Sequence, residues 1–326
     1  MWIRKNEDEV RALHDEALAK IDEGDLAGAS SIARQLEAIG WSGCFEIEAL
    51  ACRKAGDREG ALAVLDRGVA LAPELWMLHQ LRGNVLDEIG RKDEAIAAYD
   101  RALACPDASI ASVRFNRAIT RLAVGDAGGA LADAEHVITE SPEAPFAGAA
   151  LGVAVDALIA LGRVEDSVSI VDHLIGAADA AASSPAVAAL HATRARALLA
   201  AGRPHDAVIA ACTVAIEGGA GGKEVADVLA VLAPEDDRGR TRFHVVLEVP
   251  LVGVLDRQTL PMGVTGYFRT MQLVAVDEDE ARSLASSLEP RALLASSRVH
   301  TIQPLAQDAS KRSRLIAPSG RLYFGE

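Results

Sequence analysis

The fold is decided by residues 76–107, WMLHQLRGNVLDEIGRKDEAIAAYDRALACPD. Apolar side chains recur at helical spacing on both sides of Gly90, which predicts two helices joined by a tight turn. Ala95 follows that glycine by five residues and is small enough to lie where two helices cross closely. These features together predict a helical hairpin.

The same pattern recurs along most of the chain. A glycine separates two helical patterns at Gly24, Gly56, Gly90, Gly125, Gly162 and Gly202, with spacings of 32, 34, 35, 37 and 40 residues. The small residues that follow these glycines by five positions are Ala29, Ala61, Ala95, Ala130, Ser167 and Ala207. Because one hairpin cannot bury its apolar face alone, repeated hairpins predict a stack with a continuous core.

The unit at residues 76–107 strongly resembles the tetratricopeptide repeat (TPR). The residues that carry the resemblance are Gly83, Gly90, Ala95, Tyr99, Ala102 and Leu103, and Pro73 and Pro142 end two further units where the family places a helix-stopping proline. The resemblance implies a mainly α protein, a right-handed α-solenoid of about six hairpins over residues 7–218. An amphipathic stretch from Lys223 to Leu232 predicts a capping helix, which solenoids need for solubility. The alternative is an irregular helical bundle.

The pattern changes near residue 234. A polar, turn-prone break at residues 234–239 is followed by alternating apolar residues from Phe243 to Val249, which predict a strand. Further strands are predicted at about 267–276, 298–303 and 321–324. Asp277 and Glu280 have capping-box spacing before an apolar helical stripe. We therefore expect a repeat domain at residues 1–235 and a small α+β domain at 241–326, an antiparallel sheet with one helix.

Charge and cysteine content limit the partners and the compartment. The net charge of −14 divides into −15 for residues 1–240 (23 Lys and Arg, 38 Asp and Glu) and +1 for residues 241–326 (10 and 9). An acidic surface disfavours nucleic acid and mildly favours a basic partner. Four cysteines without a disulfide framework predict a cytoplasmic protein. We find no signal peptide and no membrane-spanning stretch, and expect no membrane partner.

Residues that carry chemistry are scarce. Residues 218–223, GGAGGK, miss the spacing of a phosphate loop by one residue and are followed by neither Ser nor Thr. The eight histidines form no zinc motif with the cysteines. We therefore expect no metal, no cofactor and no enzymatic activity.

The resemblance to TPR proteins implies a binding groove that is lined by the first helix of each hairpin. The corresponding residues in this sequence are Arg11, His14, Glu46, Arg53, Lys54, Met77, Gln80, Asn84, Asp87, Phe115, Ile119, Leu122, Asp156 and Arg196. Such a groove has an apolar centre flanked by mixed charge, which suits a protein or peptide with basic and hydrophobic anchor residues.

Some family members clamp a carboxylate with two asparagines and several basic residues. Asn84 and Asn116 match the two asparagines, but Gln80, Ala149 and Val153 stand where the basic residues belong and cannot neutralise a carboxylate. The asparagines are therefore interpreted as structural.

Two functional hypotheses remain open. In the first, the protein is a scaffold or adaptor whose repeats bind a partner. In the second, it is a regulatory protein whose C-terminal domain binds a small ligand or carries modest catalysis, with the repeats as a targeting arm. A polar pocket in the C-terminal domain favours the second hypothesis, and a flat or edge-exposed sheet favours the first.

Overall fold

A computed structural model gives the fold and describes residues 7–178, 185–232, 240–250, 264–290, 293, 297–308 and 314–325. The chain divides into two compact units, Met1–Leu161 and Gly162–Glu326. The division falls in the turn at Gly162. The break predicted at residues 234–239 lies outside the described residues, and the boundary between residues 235 and 241 stays a prediction.

The first unit contains nine described helices. They are α1 (Glu7–Glu23), α2 (Leu26–Ala38), α3 (Cys44–Lys54), α4 (Arg58–Leu71), α5 (Trp76–Glu88), α6 (Lys92–Ala104), α7 (Ile110–Ala123), α8 (Ala127–Glu140) and α9 (Ala147–Ala160). Each helix packs on the next one. In addition, α1, α3, α5, α7 and α9 contact one another in that order. The odd-numbered helices therefore form one continuous layer of this unit.

The turns of the hairpins follow from local chemistry. At Gly56 the backbone adopts φ +81°, a left-handed conformation that favours glycine. The next residue, Asp57, donates its N–H to the carbonyl of Cys52 (2.9 Å) and thereby closes α3. The Asp57 carboxylate then accepts the N–H of Gly60 (2.8 Å), which caps α4. Asp25 and Asp126 cap α2 and α8 in the same way.

Five of the six small residues predicted at helix crossings are buried, whereas Ala207 is half-buried and its neighbour Val208 is buried instead. Ala29, Ala61, Ala95 and Ala130 are completely buried. Gly83 is equally tightly packed, because a Cβ atom there would lie 2.5 Å from Cε1 of Tyr99. The Tyr99 ring cannot move away easily, since it is buried and its hydroxyl donates to Oδ1 of Asn84 (2.9 Å). The predicted hairpin of residues 76–107 is thus confirmed in detail.

Replacing Gly83 with alanine is expected to destabilise the protein by about 1–3 kcal/mol. The overpacking against Tyr99 outweighs the gain of about 1 kcal/mol that alanine brings to a helix. Urea unfolding followed by far-UV circular dichroism measures the difference. The control is Gly128→Ala in α8, where nothing lies within 4 Å of the added methyl group. Equal stability of the two variants would contradict the prediction.

The second unit contains five described helices and a sheet. They are α10 (Val164–Ala177), α11 (Pro185–Ala200), α12 (His205–Glu217), α13 (Lys223–Leu232), α14 (Glu278–Ser287), β1 (Arg240–Pro250), β2 (Val264–Ala275), β3 (Arg298–Asp308) and β4 (Arg314–Gly325). The strands are antiparallel in the order β3-β1-β2-β4. The helix predicted from Lys223 to Leu232 is present as α13, which packs on α11 and α12.

The sheet and two helices share one core. Phe243, Val245, Leu247 and Val249 of β1 are buried, as their alternation predicts. The core that they form also includes residues of α14 and Ala226 of α13. One covering helix was predicted, but α13 contributes as well and contacts β4. The capping helix therefore packs against the sheet as well as against the last hairpin.

The last strand is longer than the predicted 321–324. Residues 318–320, Pro-Ser-Gly, indicate a turn in the sequence, yet they lie inside β4. Pro318 is the partner of Met271, next to a register shift between Arg269 and Met271. A bulge in an edge strand accommodates both the additional residue and a proline that cannot donate to the ladder.

The helix after β2 begins as predicted. The Asp277 carboxylate accepts the N–H of Glu280 (2.8 Å), as a capping box requires. The Glu280 carboxylate reaches back one residue further than the motif prescribes and accepts the N–H of Val276 (2.6 Å). Ala281 and Ala285 then face the core.

Candidate functional site

The predicted groove residues of the first unit all lie on odd-numbered helices and none is buried. The exposed ones are Arg11, Lys54, Met77 and Ile119, and the half-buried ones are His14, Glu46, Arg53, Gln80, Asn84, Asp87, Phe115, Leu122 and Asp156. On α5 the positions between them, such as Leu78, Leu81 and Val85, are buried. The predicted groove residues are thus accessible, and the core residues of α5 lie between them. The role of the groove residues in binding stays a prediction.

A row of hydrogen bonds joins α5 to α7, and we call it the α5–α7 ladder. It consists of Ser112 donating to Gln80 (3.2 Å), Asn116 to Asn84 (3.2 Å) and Thr120 to Asp87 (2.7 Å). The two asparagines that match the clamp of the family are therefore bonded to each other. This ladder holds consecutive hairpins in register, and its side chains have internal partners.

Beyond the ladder, α7 carries an apolar patch, formed by Phe115, Ile119, Leu122 and Phe146. The three α7 residues are spaced by four and three positions and so share one face of the helix. Phe146, just before α9, stacks on Phe115 with ring centroids 5.1 Å apart. Ile119 remains 42% exposed. Phe146 was missed in the sequence because it precedes its helix, although its position after Pro142 and Pro145 indicates a packed loop.

The opposite end of the layer is polar. His14 of α1 and Glu46 of α3 are brought together, with Nε2 3.6 Å from the carboxylate. The imidazole also meets the edge of Trp41, with ring centroids 5.3 Å apart. Arg53 and Lys54 lie further along α3 and line a cleft with α1 and α5. The layer therefore changes from charged at α1 and α3 to apolar at α7.

One predicted groove residue lies in the second unit. Arg196 of α11 forms an ion pair with Glu224 of α13, with Nε and Oε1 2.9 Å apart. The capping helix thus supplies a partner for this guanidinium group.

A buried ionic cluster in the first unit was not predicted. Asp133 of α8 is 1% exposed. Its carboxylate accepts hydrogen bonds from three arginines of α7, namely Arg114 (2.8 Å), Arg117 (2.6 and 2.7 Å) and Arg121 (2.9 Å). The arginines are spaced by three and four residues, and this spacing on one helix face is the signal that could have revealed a shared acidic partner.

A second buried cluster lies in the second unit. Glu289 accepts hydrogen bonds from Arg269 (2.6 Å) and from the Tyr267 hydroxyl. Arg269 also donates to the backbone carbonyls of Leu288 and Gly221. A Cβ atom at Gly221 would lie 2.2 Å from the Leu288 oxygen. The segment before α13 is thus packed and bonded to the sheet at Gly221.

Two of the four cysteines, Cys44 and Cys212, have the properties of core residues. All four are free, and burial raises the pKa of Cys44 and of Cys212 to about 11. At neutral pH both remain thiols, whereas nucleophilic or metal-binding cysteine is a thiolate. Within the described ranges, no three His, Cys, Asp or Glu side chains are grouped as metal ligands. Each helix that the structure describes is too short or too polar to cross a bilayer.

The sequence matches no family model and no curated protein. The structure is similar to solved structures of repeat proteins. A tetratricopeptide repeat protein from Parabacteroides merdae is 13% identical, with 69% of this chain and 86% of that chain covered and a TM-score of 0.53. PilW, a type IV pilus biogenesis factor, is 15% identical, with 68% and 98% covered and a TM-score of 0.53.

A third similar structure is the C-terminal part of a TPR repeat-containing protein from Cytophaga hutchinsonii. It is 16% identical, with 67% of this chain and 84% of that chain covered and a TM-score of 0.50. At these identities the similarity concerns the fold, and it agrees with the glycine turns and buried alanines of the hairpins. The helical hairpins of this chain therefore have the tetratricopeptide-repeat fold.

Proposed function

We propose that the protein is a non-enzymatic scaffold of the cytoplasm whose odd-numbered helices in the first unit bind a protein or peptide. The observation that carries this proposal is the apolar patch of Phe115, Ile119, Leu122 and Phe146. This patch is accessible. It lies on the layer of odd-numbered helices, and the other end of that layer is charged. Exposed apolar residues on one helix face, next to polar ones, suit a partner with a hydrophobic anchor.

The side chains around the patch support binding more than catalysis. The α5–α7 ladder consists of polar groups that satisfy one another, which gives a rigid surface beside the patch at little cost in conformational entropy on binding. The four free cysteines are compatible with a reducing compartment.

The proposal is tested by site-specific cross-linking in cells. A photo-reactive amino acid at position 119 is expected to cross-link a partner, and Phe115→Glu in the same chain is expected to abolish the product, because a charge in a desolvated apolar contact is unfavourable. The control places the same probe at Leu71, which is 71% exposed on α4, an even-numbered helix. Circular dichroism verifies that Phe115→Glu is folded. Equal cross-linking from positions 71 and 119 would refute the proposal.

A further inference from the structure

A cleft of about 470 Å³ lies where the C-terminal turns of α1, α3 and α5 meet. Its volume is in the range of sites that take a small group or a few side chains. One wall is apolar and consists of Leu18, Ile21 and Leu50. The charged residues around it are Asp22, Arg53, Lys54, Arg58 and Glu88. The cleft therefore combines an apolar wall with three cationic and two acidic side chains.

One of the two acidic side chains is already neutralised. Arg53 donates through Nη2 to Oε1 of Glu88. Arg58 approaches the other oxygen of the same carboxylate, with its Nε 3.3 Å from Oε2. A single carboxylate thus serves two guanidinium groups and leaves one positive charge in excess. When Lys54 and Asp22 are counted as well, the net charge of the cleft is +1.

The cleft also has donors without acceptors. Nε of Arg53 has no hydrogen-bond partner among the described residues, but it is inaccessible to solvent, so an acceptor from outside does not reach it. The ammonium group of Lys54, which is exposed, likewise has no ion pair in the part of the chain that the structure describes. Because the Lys54 ammonium group donates and never accepts, it lacks an acceptor, and an anionic one satisfies both hydrogen bonding and charge.

We propose that this cleft binds a carboxylate side chain of the protein partner, presented beside an aliphatic residue that contacts Leu18 and Leu50. The inference rests on the proposed function, since the partner has to lie along the same layer of helices. The net charge of the chain alone favours a basic partner. Charges more than about 8 Å away are largely screened at physiological ionic strength, so the side chains of the cleft decide what binds there.

Three synthetic peptides test the proposed chemistry. Each is acetylated and amidated, so that no terminal charge remains, and alternates leucine with glutamate, glutamine or lysine. Fluorescence anisotropy with the full chain at about 0.15 M salt is expected to show the glutamate peptide binding roughly five- to ten-fold more tightly than the glutamine peptide. The lysine peptide is expected to bind most weakly. Lys54→Glu should remove the preference.

The matched control is Arg34→Glu, which makes the same change of charge at an exposed position of α2. It should leave the preference for glutamate intact, because it lies outside the cleft. Equal affinity for the glutamate and glutamine peptides, or no binding of the glutamate peptide up to about 1 mM, would overturn the inference. The proposed function is tested separately by cross-linking from position 119, an experiment that does not involve Lys54. The two proposals can therefore fail independently of each other.

Discussion

Replacing Glu289 with alanine is expected to lower the free energy of unfolding by about 3–5 kcal/mol. Glu289 is 1% exposed and is the acidic partner of Arg269, which is itself buried. Without the carboxylate, a guanidinium group and the Tyr267 hydroxyl lose a buried acceptor. Urea unfolding measures the total loss. Hydrogen exchange in β1 and β2, followed by mass spectrometry, is expected to show the faster opening of the sheet.

Two further variants identify the cause of this loss. Arg298→Ala breaks the pair between Arg298 and Glu248, in which the arginine is exposed, and should cost much less than Glu289→Ala. Replacing both buried partners, as Arg269→Met with Glu289→Leu, should recover most of the stability, because neither member of this ion pair is then left buried without the other. A loss from Glu289→Ala no greater than that from Arg298→Ala would contradict the assignment.

Replacing Asp133 with alanine is expected to cost about 3 kcal/mol or more. The three α7 arginines that it binds would then face one another, with Arg117 the most buried of them. Urea unfolding of the full chain measures the effect. Asp100→Ala is the matched control, because Asp100 also binds Arg117 but its side chain is 52% exposed. If both variants lose the same stability, the buried carboxylate has no special role.

The parts of the fold that depend on neighbouring residues could be predicted from the sequence. The left-handed glycines, the small residue five positions later and the Asp277 cap each involve residues no more than five positions apart, and their spacing is visible without a structure. The groove positions come from the resemblance to the repeat family, and their role in binding stays a prediction. Their accessibility follows from the helical period, since Leu78, Leu81 and Val85 occupy the buried side of α5.

The missed features depend on residues that are far apart in the sequence. Arg269 meets the carbonyl of Gly221, 48 positions away, and nothing in either local sequence indicates that contact. Asp133 resembles an ordinary solvent-facing residue until α7 is packed on α8. The length of β4 was underestimated because proline and glycine indicate turns locally, whereas the pairing of an edge strand with a bulge is decided by its partner strand.

The shared core of α13 and the sheet has a consequence for synthesis on the ribosome. The strand that pairs with β2 and contacts α13 is β4, the last described strand to emerge. A nascent chain can form its hairpins one after another, but the face of α13 that packs on the sheet stays uncovered until β4 has been made. Chains interrupted before that point would display an uncovered apolar face, which proteases and chaperones recognise. Completion of the sheet therefore covers an apolar face that the hairpins alone leave uncovered.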